Sequence, residues 1–312
     1  MNTFNIQNFI SGWSFNQPKL GPSATWNPNA TTLVSGVLPN AEPTNIFVNK
    51  NNDVFVTARN LHRVQIYFNG NINTSTSISS GLQYPQGIFV TNNGDIYIDN
   101  GFSHGRVEKW TLNAINGTTV MSVNESCHNL FIDINDTLYC SLGTQNKVMK
   151  ISLNSGGTIP QLAAGDGTAG NGSNNLHNPR GIFVDLSLNL YVADCSNNRI
   201  QVFQSDQLNA TTIAGSNAPI IITLNCPTEI MLDSDGYLFI MDSYNHRIVR
   251  SNLNGYQCIV GCSGNAGNLT NQLHNPYGFA FDTFGNILVS DQSNKRIQKF
   301  LLTTNDCSKY LS

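Results

Sequence analysis

The sequence contains few charged residues. Charged side chains occupy 11% of its 312 positions, whereas average soluble domains have roughly 25%. The 16 Lys and Arg residues are dispersed along the chain, and the formal net charge is -3. Binding to a phosphate backbone requires clustered cations that release counterions. We therefore expect no nucleic-acid partner.

Long apolar runs are absent as well. No window approaches the roughly 18 consecutive apolar residues that a membrane span requires, so we expect no membrane-spanning segment. The first residues, MNTFNIQNFISGWSFNQPK, have neither the basic region nor the continuous apolar region of an export signal. Residues 1–22 match no repeat and are expected to form an N-terminal extension. We expect a monomer or a part of a longer multidomain chain.

The motifs of common catalytic sites are also missing. The chain has no G-x-S-x-G turn, no H-E-x-x-H helix and no phosphate-binding glycine loop. The glycine-rich stretch at 165–172, GDGTAGNG, is followed by no helical pattern. It is expected to be a connecting loop. We predict no catalytic residues.

What the sequence does have is an internal repeat. The copy from Leu176 reads LHNPRGIFVDLSLNLYVADCSNNRIQVF, and the copy from Leu273 reads LHNPYGFAFDTFGNILVSDQSNKRIQKF. Four more divergent copies begin near Glu42, Leu82, Cys127 and Leu224. Self-similarity with a period of about 20 to 50 residues is typical of solenoids and propellers.

Each copy contains four short runs of β-forming residues. In the clearest copy these are GIFVD, LYVAD, RIQVF and ATTIAG, and turn formers separate them. Four strands per unit are typical of a propeller blade. We therefore predict an all-β fold, a six-bladed β-propeller of four-stranded antiparallel blades. Residues 23–312 are expected to form this single domain.

The last copy lacks a fourth strand of its own. After Phe300 only LLTTNDCSKYLS remains, whereas ATTLVSG near the N-terminus resembles the fourth strand ATTIAG of another copy. An open ring would leave an unpaired strand edge exposed. We therefore expect strand Thr31 to Ser35 to close the ring by pairing into the last blade near Phe300.

The repeat resembles the NHL repeat. The motifs P-x-G-I-x-V-D, N-L-Y-V-A-D and N-N-R-I-Q-V-F carry this resemblance, which covers about residues 24–305. It is most specific in the copies from Leu176 and Leu273. Such propellers include protein- or RNA-binding domains of tripartite-motif ubiquitin ligases, and amidating lyases that hold zinc at the propeller axis.

The resemblance to the lyases does not extend to their zinc ligands. In that family, histidines placed directly after the repeat proline hold the metal. Here only His128 falls in this register, and the other blades have Thr44, Gln86, Arg180, Thr228 and Tyr277. We therefore predict no cofactor. An axial zinc or calcium ion is the alternative.

The six histidines occur one per repeat. His62, His104 and His246 precede the third strand, whereas His128, His177 and His274 precede the innermost strand. Both sets of loops share one face of a four-stranded blade, and with Arg180 and Tyr277 they form our candidate binding face. Zinc requires three or four ligands around one ion. We interpret these histidines as loop residues of the repeat, spread over the face.

Aspartates recur at two positions of the repeat. One set ends the innermost strand and the other ends the second strand, and their members are Asp133, Asp185, Asp233, Asp282, Asp99, Asp194, Asp242 and Asp291. A catalytic carboxylate pair or a calcium site would not require such recurrence. We expect these side chains to cap turns, and some of them to pair with Arg199, Arg247 or Arg296.

Seven cysteines include no C-x-x-C pair. The strand pattern would bring together Cys127 with Cys140, Cys195 with Cys226, and Cys258 with Cys262, and it leaves Cys307 over. Such disulfides persist only in an oxidising compartment, which predicts an extracellular or secretory location. Free buried thiols in a cytosolic protein are the alternative.

N-glycosylation sequons are consistent with secretion, although the abundance of asparagine yields a similar number by chance. The eight sites are Asn29, Asn73, Asn116, Asn124, Asn135, Asn171, Asn209 and Asn268.

The function that the sequence favours is that of a non-enzymatic, extracellular propeller that binds a protein, peptide or glycan through one loop face. The alternatives are a metal-dependent lyase or hydrolase acting at the channel mouth, and an intracellular tripartite-motif-like domain binding protein or RNA.

Overall fold

The computed structural model describes residues 14–35, 41–101 and 105–305. His104 and Cys307 lie outside the described residues. Within these ranges six antiparallel sheets of four strands form the blades of a propeller. The predicted all-β class, the number of blades and their four-stranded composition are confirmed. No helix in the described part of the chain is long and apolar enough to cross a membrane.

The strands follow the same order in each blade, and the first strand lies nearest the axis. Blade 1 contains β3 (Pro43–Val48), β4 (Val54–Ala58), β5 (Arg63–Tyr67) and β6 (Ser75–Ile78). Blade 2 contains β7 (Ile88–Val90), β8 (Ile96–Asp99), β9 (Arg106–Trp110) and β10 (Thr118–Ser122). Blade 3 contains β11 (Cys127–Ile132), β12 (Thr137–Leu142), β13 (Lys147–Ser152) and β14 (Gln161–Ala164).

The other three blades follow the same plan. Blade 4 contains β15 (Pro179–Val184), β16 (Leu190–Asp194), β17 (Arg199–Phe203) and β18 (Ala210–Gly215). Blade 5 contains β19 (Pro227–Leu232), β20 (Leu238–Asp242), β21 (Arg247–Asn252) and β22 (Gly255–Val260). Blade 6 contains β23 (Phe279–Phe281), β24 (Ile287–Asp291), β25 (Arg296–Phe300) and β2 (Thr31–Ser35).

A further strand pair and short 3-10 helices complete the described elements. The strands β1 (Thr25–Trp26) and β26 (Leu302–Thr304) pair with each other outside the blades. The 3-10 helices comprise Arg59–Leu61, Phe68–Gly70, Cys195–Asn197, Ser243–Asn245 and Gln292–Asn294. We call the face where the innermost strands begin the upper face, and the face where they end the lower face.

The innermost strands are continuous apolar runs because neighbouring blades cover both of their sides. Every residue of β3 is buried. An aromatic side chain at one strand position surrounds the axis in four successive blades. Adjacent rings in this series have centroids 5.0 to 5.4 Å apart, and the residues are Phe47, Phe89, Phe131 and Phe183.

Residues 14–24, which we call the N-terminal strap, cross the lower face. The ring of Phe15 lies at the axis, with its centroid 5.6 to 6.3 Å from those of Phe89, Phe131 and Phe183. The side-chain nitrogen of Asn16 donates hydrogen bonds to the carbonyl oxygens of Val48, Asn49 and Phe281. The strap therefore closes the lower end of the axial channel.

A buried arginine holds the outer part of the strap. Arg250 is fully buried and pairs with Asp233 at 3.1 Å. Its guanidinium also donates hydrogen bonds of 3.0 and 2.8 Å to the carbonyl oxygens of Leu20 and Gly21. It lies 4.4 Å from the ring centroid of Tyr237, a cation–π contact. Blade 5 therefore anchors a segment that belongs to no blade.

The two ends of the described chain meet in blade 6. Strand β2 lies antiparallel beside β25, with Thr31 opposite Lys299 and Ser35 opposite Arg296. Beyond this pair, β1 joins β26, and the indole nitrogen of Trp26 donates a 2.9 Å hydrogen bond to the carbonyl oxygen of Gly285.

The recurring aspartates have the structural roles that the sequence predicted. At the end of the innermost strand, Asp185 accepts 2.9 Å hydrogen bonds from the backbone nitrogens of Ser187 and Asn189. Equivalent turn hydrogen bonds are formed by Asp133, Asp233 and Asp282. The predicted ion pairs join Arg199 to Asp194, Arg247 to Asp242, and Arg296 to Asp291, at 2.7 to 2.9 Å.

All three predicted disulfides are present. The Cα atoms are 5.3 Å apart in Cys127–Cys140, 4.0 Å in Cys195–Cys226 and 5.6 Å in Cys258–Cys262. The first bond joins two strands of blade 3, the second joins blade 4 to the residue preceding β19, and the third lies at the end of β22. These bonds indicate an oxidising environment.

Candidate functional site

The residue in the register that follows the repeat proline, a position held by Cys127 in blade 3, occupies the upper end of the axis, and three of these residues meet there. The hydroxyl oxygen of Tyr277 lies 2.7 Å from Nδ1 of His128. The side-chain nitrogen of Gln86 lies 2.7 Å from the same Nδ1 and donates a hydrogen bond to the Tyr277 hydroxyl. Because Tyr277 belongs to blade 6 and His128 to the opposite blade 3, this cluster spans the axis. We call these three residues the axial triad.

Glycine makes room for the imidazole of the triad. A Cβ atom on Gly143 would lie 2.4 Å from Nε2 of His128. Any side chain at Gly143 would therefore displace the imidazole from Tyr277.

Two arginines lie near the triad and affect its electrostatics. The guanidinium carbon of Arg180 is 5.4 Å from the ring centroid of Tyr277. Burial, together with the charges of Arg180 and Arg59, lowers the pKa of His128 to about 3. The imidazole is therefore neutral at physiological pH. Burial raises the pKa of Tyr277, although the charge of Arg180 opposes this effect.

Below the triad, polar residues alternate with glycines around the axis. Blades 1, 3 and 5 contribute Asn45, Asn129 and Glu229, and the blades between them contribute Gly87, Gly181 and Gly278. A Cβ atom on Gly181 would lie 2.6 Å from the Cα atom of Glu229. The glycines therefore allow the polar residue of the next blade to approach closely.

The buried Glu229 is the acidic group of this layer. Its carboxylate oxygen accepts a 2.6 Å hydrogen bond from the side chain of Asn129. Burial raises the pKa of Glu229 to about 8. The side-chain nitrogen of Asn45 is buried without a hydrogen-bond partner in the described part of the chain. This layer is therefore polar and uncharged at neutral pH.

The axial cavity is too small to enclose an organic ligand. Its volume is about 50 Å³, and its lining includes Phe15, Asn45, Asn129 and Glu229. Sites that enclose small ligands have volumes of about 300 Å³ or more. An organic ligand bound at the axis would therefore lie at the mouth above the triad, with Arg180 and Arg59 beside it.

Comparison with known proteins identifies the repeat. A family model described as the NHL repeat matches residues 176–203. The chain is an NHL-repeat propeller of six blades. The sequence of this NHL propeller matches no curated protein.

Solved structures share the fold of the NHL propeller at low identity. A protein of unknown function from Bacteroides thetaiotaomicron is 16% identical, with a TM-score of 0.70 over 92% of this chain and 75% of that chain. An auxiliary nutrient binding protein from the same bacterium is 14% identical, with a TM-score of 0.67 over 94% and 76%. Catalytically inactive virginiamycin B lyase from Staphylococcus aureus, solved with quinupristin, is 15% identical, with a TM-score of 0.58 over 85% and 83%. These likenesses show the fold alone.

Of the histidines in the candidate binding face, only His128 belongs to the axial triad of the NHL propeller. His62 packs against Tyr84 with ring centroids 4.3 Å apart, and His246 packs against His274 at 5.8 Å. His177 is exposed. Within the described ranges, no group of three or more His, Cys, Asp or Glu is arranged to hold a metal ion.

Cations without a carboxylate partner gather on the upper face. Among the described residues, none of Arg59, Arg63, Lys147, Arg180 and Lys295 forms an ion pair. In blades 1 and 3 the repeat aspartate is replaced by Ala58 and Leu142, opposite Arg63 and Lys147. By contrast, four lysines towards the lower face pair with Asp235, Asp95, Asp206 and Asp282.

Neither the triad nor the basic character of the upper face is predicted from the sequence alone. There Gln86 is only a position without a zinc ligand, and Arg59 and Glu229 are not among the candidate residues. A signal is present nevertheless, because the residue in the register that follows the repeat proline is polar in every blade.

Proposed function

We propose that the NHL propeller is a secreted, non-enzymatic binding protein that recognises an acidic group of a protein, peptide or glycan at the upper mouth of its axis. The observation that carries this proposal is the unpaired guanidinium of Arg180 beside the axial triad. Its Nε is buried without a partner among the described residues. A buried donor of this kind gains most from a charged acceptor.

The surroundings of Arg180 support an anionic ligand. The other unpaired cations of the upper face would attract a negative group, and the neutral Glu229 below the triad would not repel it. The triad and the strap close the two ends of the channel, so the ligand would rest on the triad. A nutrient-binding protein has the same fold, and this likeness agrees with a ligand-binding role without identifying the ligand.

The proposal is tested with acidic probes and their neutral counterparts. Peptides ending in glutamate, matched peptides ending in glutamine amide, and an array of uronate, sialate and neutral glycans would be measured against the wild type. We expect Arg180→Ala to weaken acidic-probe binding roughly 10- to 100-fold, because a hydrogen bond to a charged group contributes about 1.5–3 kcal/mol. Lys19→Ala, at the exposed Lys19–Asp235 pair of the lower face, is the control and should bind normally.

The alternatives give different results in the same assays. Tight RNA binding with a steep dependence on salt, and no binding of acidic peptides or glycans, would overturn the proposal in favour of an intracellular RNA-binding domain. We also propose that binding needs no metal. Stoichiometric zinc or calcium in the purified protein, found by elemental analysis, would favour the metal-dependent lyase or hydrolase.

A further inference from the structure

Four glycosylation sequons occupy one position of the repeat. Asn29, Asn73, Asn116 and Asn209 each precede the outermost strand of their blade by one or two residues. The hydroxyl-bearing residue of each sequon lies at or near the start of that strand, at Thr31, Ser75, Thr118 and Thr211. We call these four asparagines the rim sequons. The total number of sequons is close to the number expected by chance, but these four lie at the same turn of their blades.

The side-chain nitrogens of the rim sequons are available for modification. All four asparagines are exposed, and none of their side-chain nitrogens donates a hydrogen bond to another described residue. Where Asn29 and Asn209 form side-chain contacts with Thr270 and Ser173, the asparagine oxygen takes part. Many other asparagines use this nitrogen within the fold, including Asn100, Asn129 and Asn197.

Two further sequons lie beside the rim sequons. The backbone nitrogen of Ala210, next to Asn209, donates a 2.8 Å hydrogen bond to the carbonyl oxygen of Ser173, which belongs to the Asn171 sequon. In blade 6 the nitrogen of Ala30, next to Asn29, donates a 2.9 Å hydrogen bond to the carbonyl oxygen of Thr270, which belongs to the Asn268 sequon. The outer edges of blades 4 and 6 therefore each carry two sequons.

We propose that the rim sequons carry N-linked glycans, which form a belt around the outer edge of the propeller and leave the axial mouth uncovered. In this modification, the side-chain nitrogen of asparagine bonds to the anomeric carbon of the first sugar and loses a proton. The diphosphate of a lipid-linked oligosaccharide donor is the leaving group. This inference rests on the proposed secretion of the NHL propeller, and it does not depend on the acidic ligand.

The belt has a physical role at the blade edges. The outermost strand of a blade presents backbone groups that can pair with another chain. A glycan at the start of that strand would hinder such pairing. In blades 3 and 5 the connections between the third and fourth strands also contain exposed asparagines, Asn154 and Asn254. Two positions after these asparagines the sequence has Gly156 and Tyr256, where a sequon requires Ser or Thr. These two connections are internal controls.

The experiment is to secrete the full chain from a eukaryotic cell behind an added leader and to measure occupancy at each site. Enzymatic removal of the glycans in ¹⁸O-water converts each occupied asparagine to a labelled aspartate, which mass spectrometry locates. We expect label at three or all four rim sequons and none at Asn154 or Asn254. Label at two or fewer rim sequons would overturn the belt.

A matched pair of variants separates modification from folding. Thr211→Ser retains the sequon of Asn209 and should retain its glycan, whereas Thr211→Ala should lose that glycan alone. Loss of glycan in neither variant would overturn the assignment. Disulfide mapping of the same secreted protein tests separately whether the chain forms its three disulfides in an oxidising compartment. Formed disulfides with unmodified rim sequons would reject the belt alone, whereas free thiols would count against the proposed location.

Discussion

At the scale of single residues, burial raises the pKa of several carboxyl groups of the fold. Burial raises the pKa of Glu229 to about 8, that of Asp99 to about 7 and that of Asp233 to about 6. Hydrogen bonds from Asn129 to Glu229 and from Ser126 to Asp99 oppose these shifts without removing them. At these three carboxyl groups the folded protein therefore binds more protons than the unfolded chain across mildly acidic and neutral pH, whereas at His128 it binds fewer in mild acid.

This difference predicts a pH dependence of stability that Glu229→Gln reduces. A carboxyl group whose pKa is raised by folding stabilises the protein below its unfolded value, and this contribution is lost as the pH rises towards the folded value. The free energy of unfolding of the wild type should fall between pH 5 and 8, by up to about 1.4 kcal/mol per pH unit for each such group. Urea unfolding at several pH values would measure it.

The control for this experiment is Glu42→Gln, because Glu42 is exposed on the upper face. Its profile should follow that of the wild type. Equal slopes for Glu229→Gln and the wild type would contradict the neutral state of Glu229.

At the scale of structural elements, the Arg250–Asp233 ion pair anchors the outer part of the N-terminal strap. Removing one partner of a buried pair leaves the other charge uncompensated, which typically costs about 3–5 kcal/mol. We therefore expect Arg250→Leu to lower the free energy of unfolding by about 3–5 kcal/mol. The exposed Arg59 provides the matched control, and Arg59→Leu should change stability by less than about 1 kcal/mol. Similar losses in the two variants, measured by urea unfolding, would show that the strap is not anchored by Arg250.

The blades and the strap differ in how far the sequence predicts them. Each blade repeats the same runs of residues, so a strand that is unclear in one copy can be assigned from the other copies. The positions of Asp194 and Arg199, for example, recur in blades 5 and 6. The disulfides followed from that strand order. Phe15 and Asn16 belong to no repeat, and their contacts depend on the closed ring. The axial triad was missed for the same reason, because Gln86, His128 and Tyr277 meet only across the assembled axis.

At the scale of the whole molecule, closure of the ring predicts the effect of a truncation. Deleting residues 1–36 removes β1, β2 and the strap, and it leaves β25 with an unpaired edge. We expect a lower melting temperature, detected by circular dichroism or calorimetry. A deletion of residues 1–13, which retains every described residue, is the control. An unchanged melting temperature in the longer deletion would contradict a closing role for β2.

The pairing of β2 with β25 also determines the order in which the molecule can be completed. Thr31 leaves the ribosome early, but its partner Lys299 is synthesised only after five blades have followed. Throughout translation β2 therefore lacks its neighbouring strand and is exposed to other chains and to chaperones. Contacts between such distant parts of a chain form slowly. The sixth blade is therefore expected to be the last to assemble, and its formation is the step at which the newly made protein becomes a closed ring.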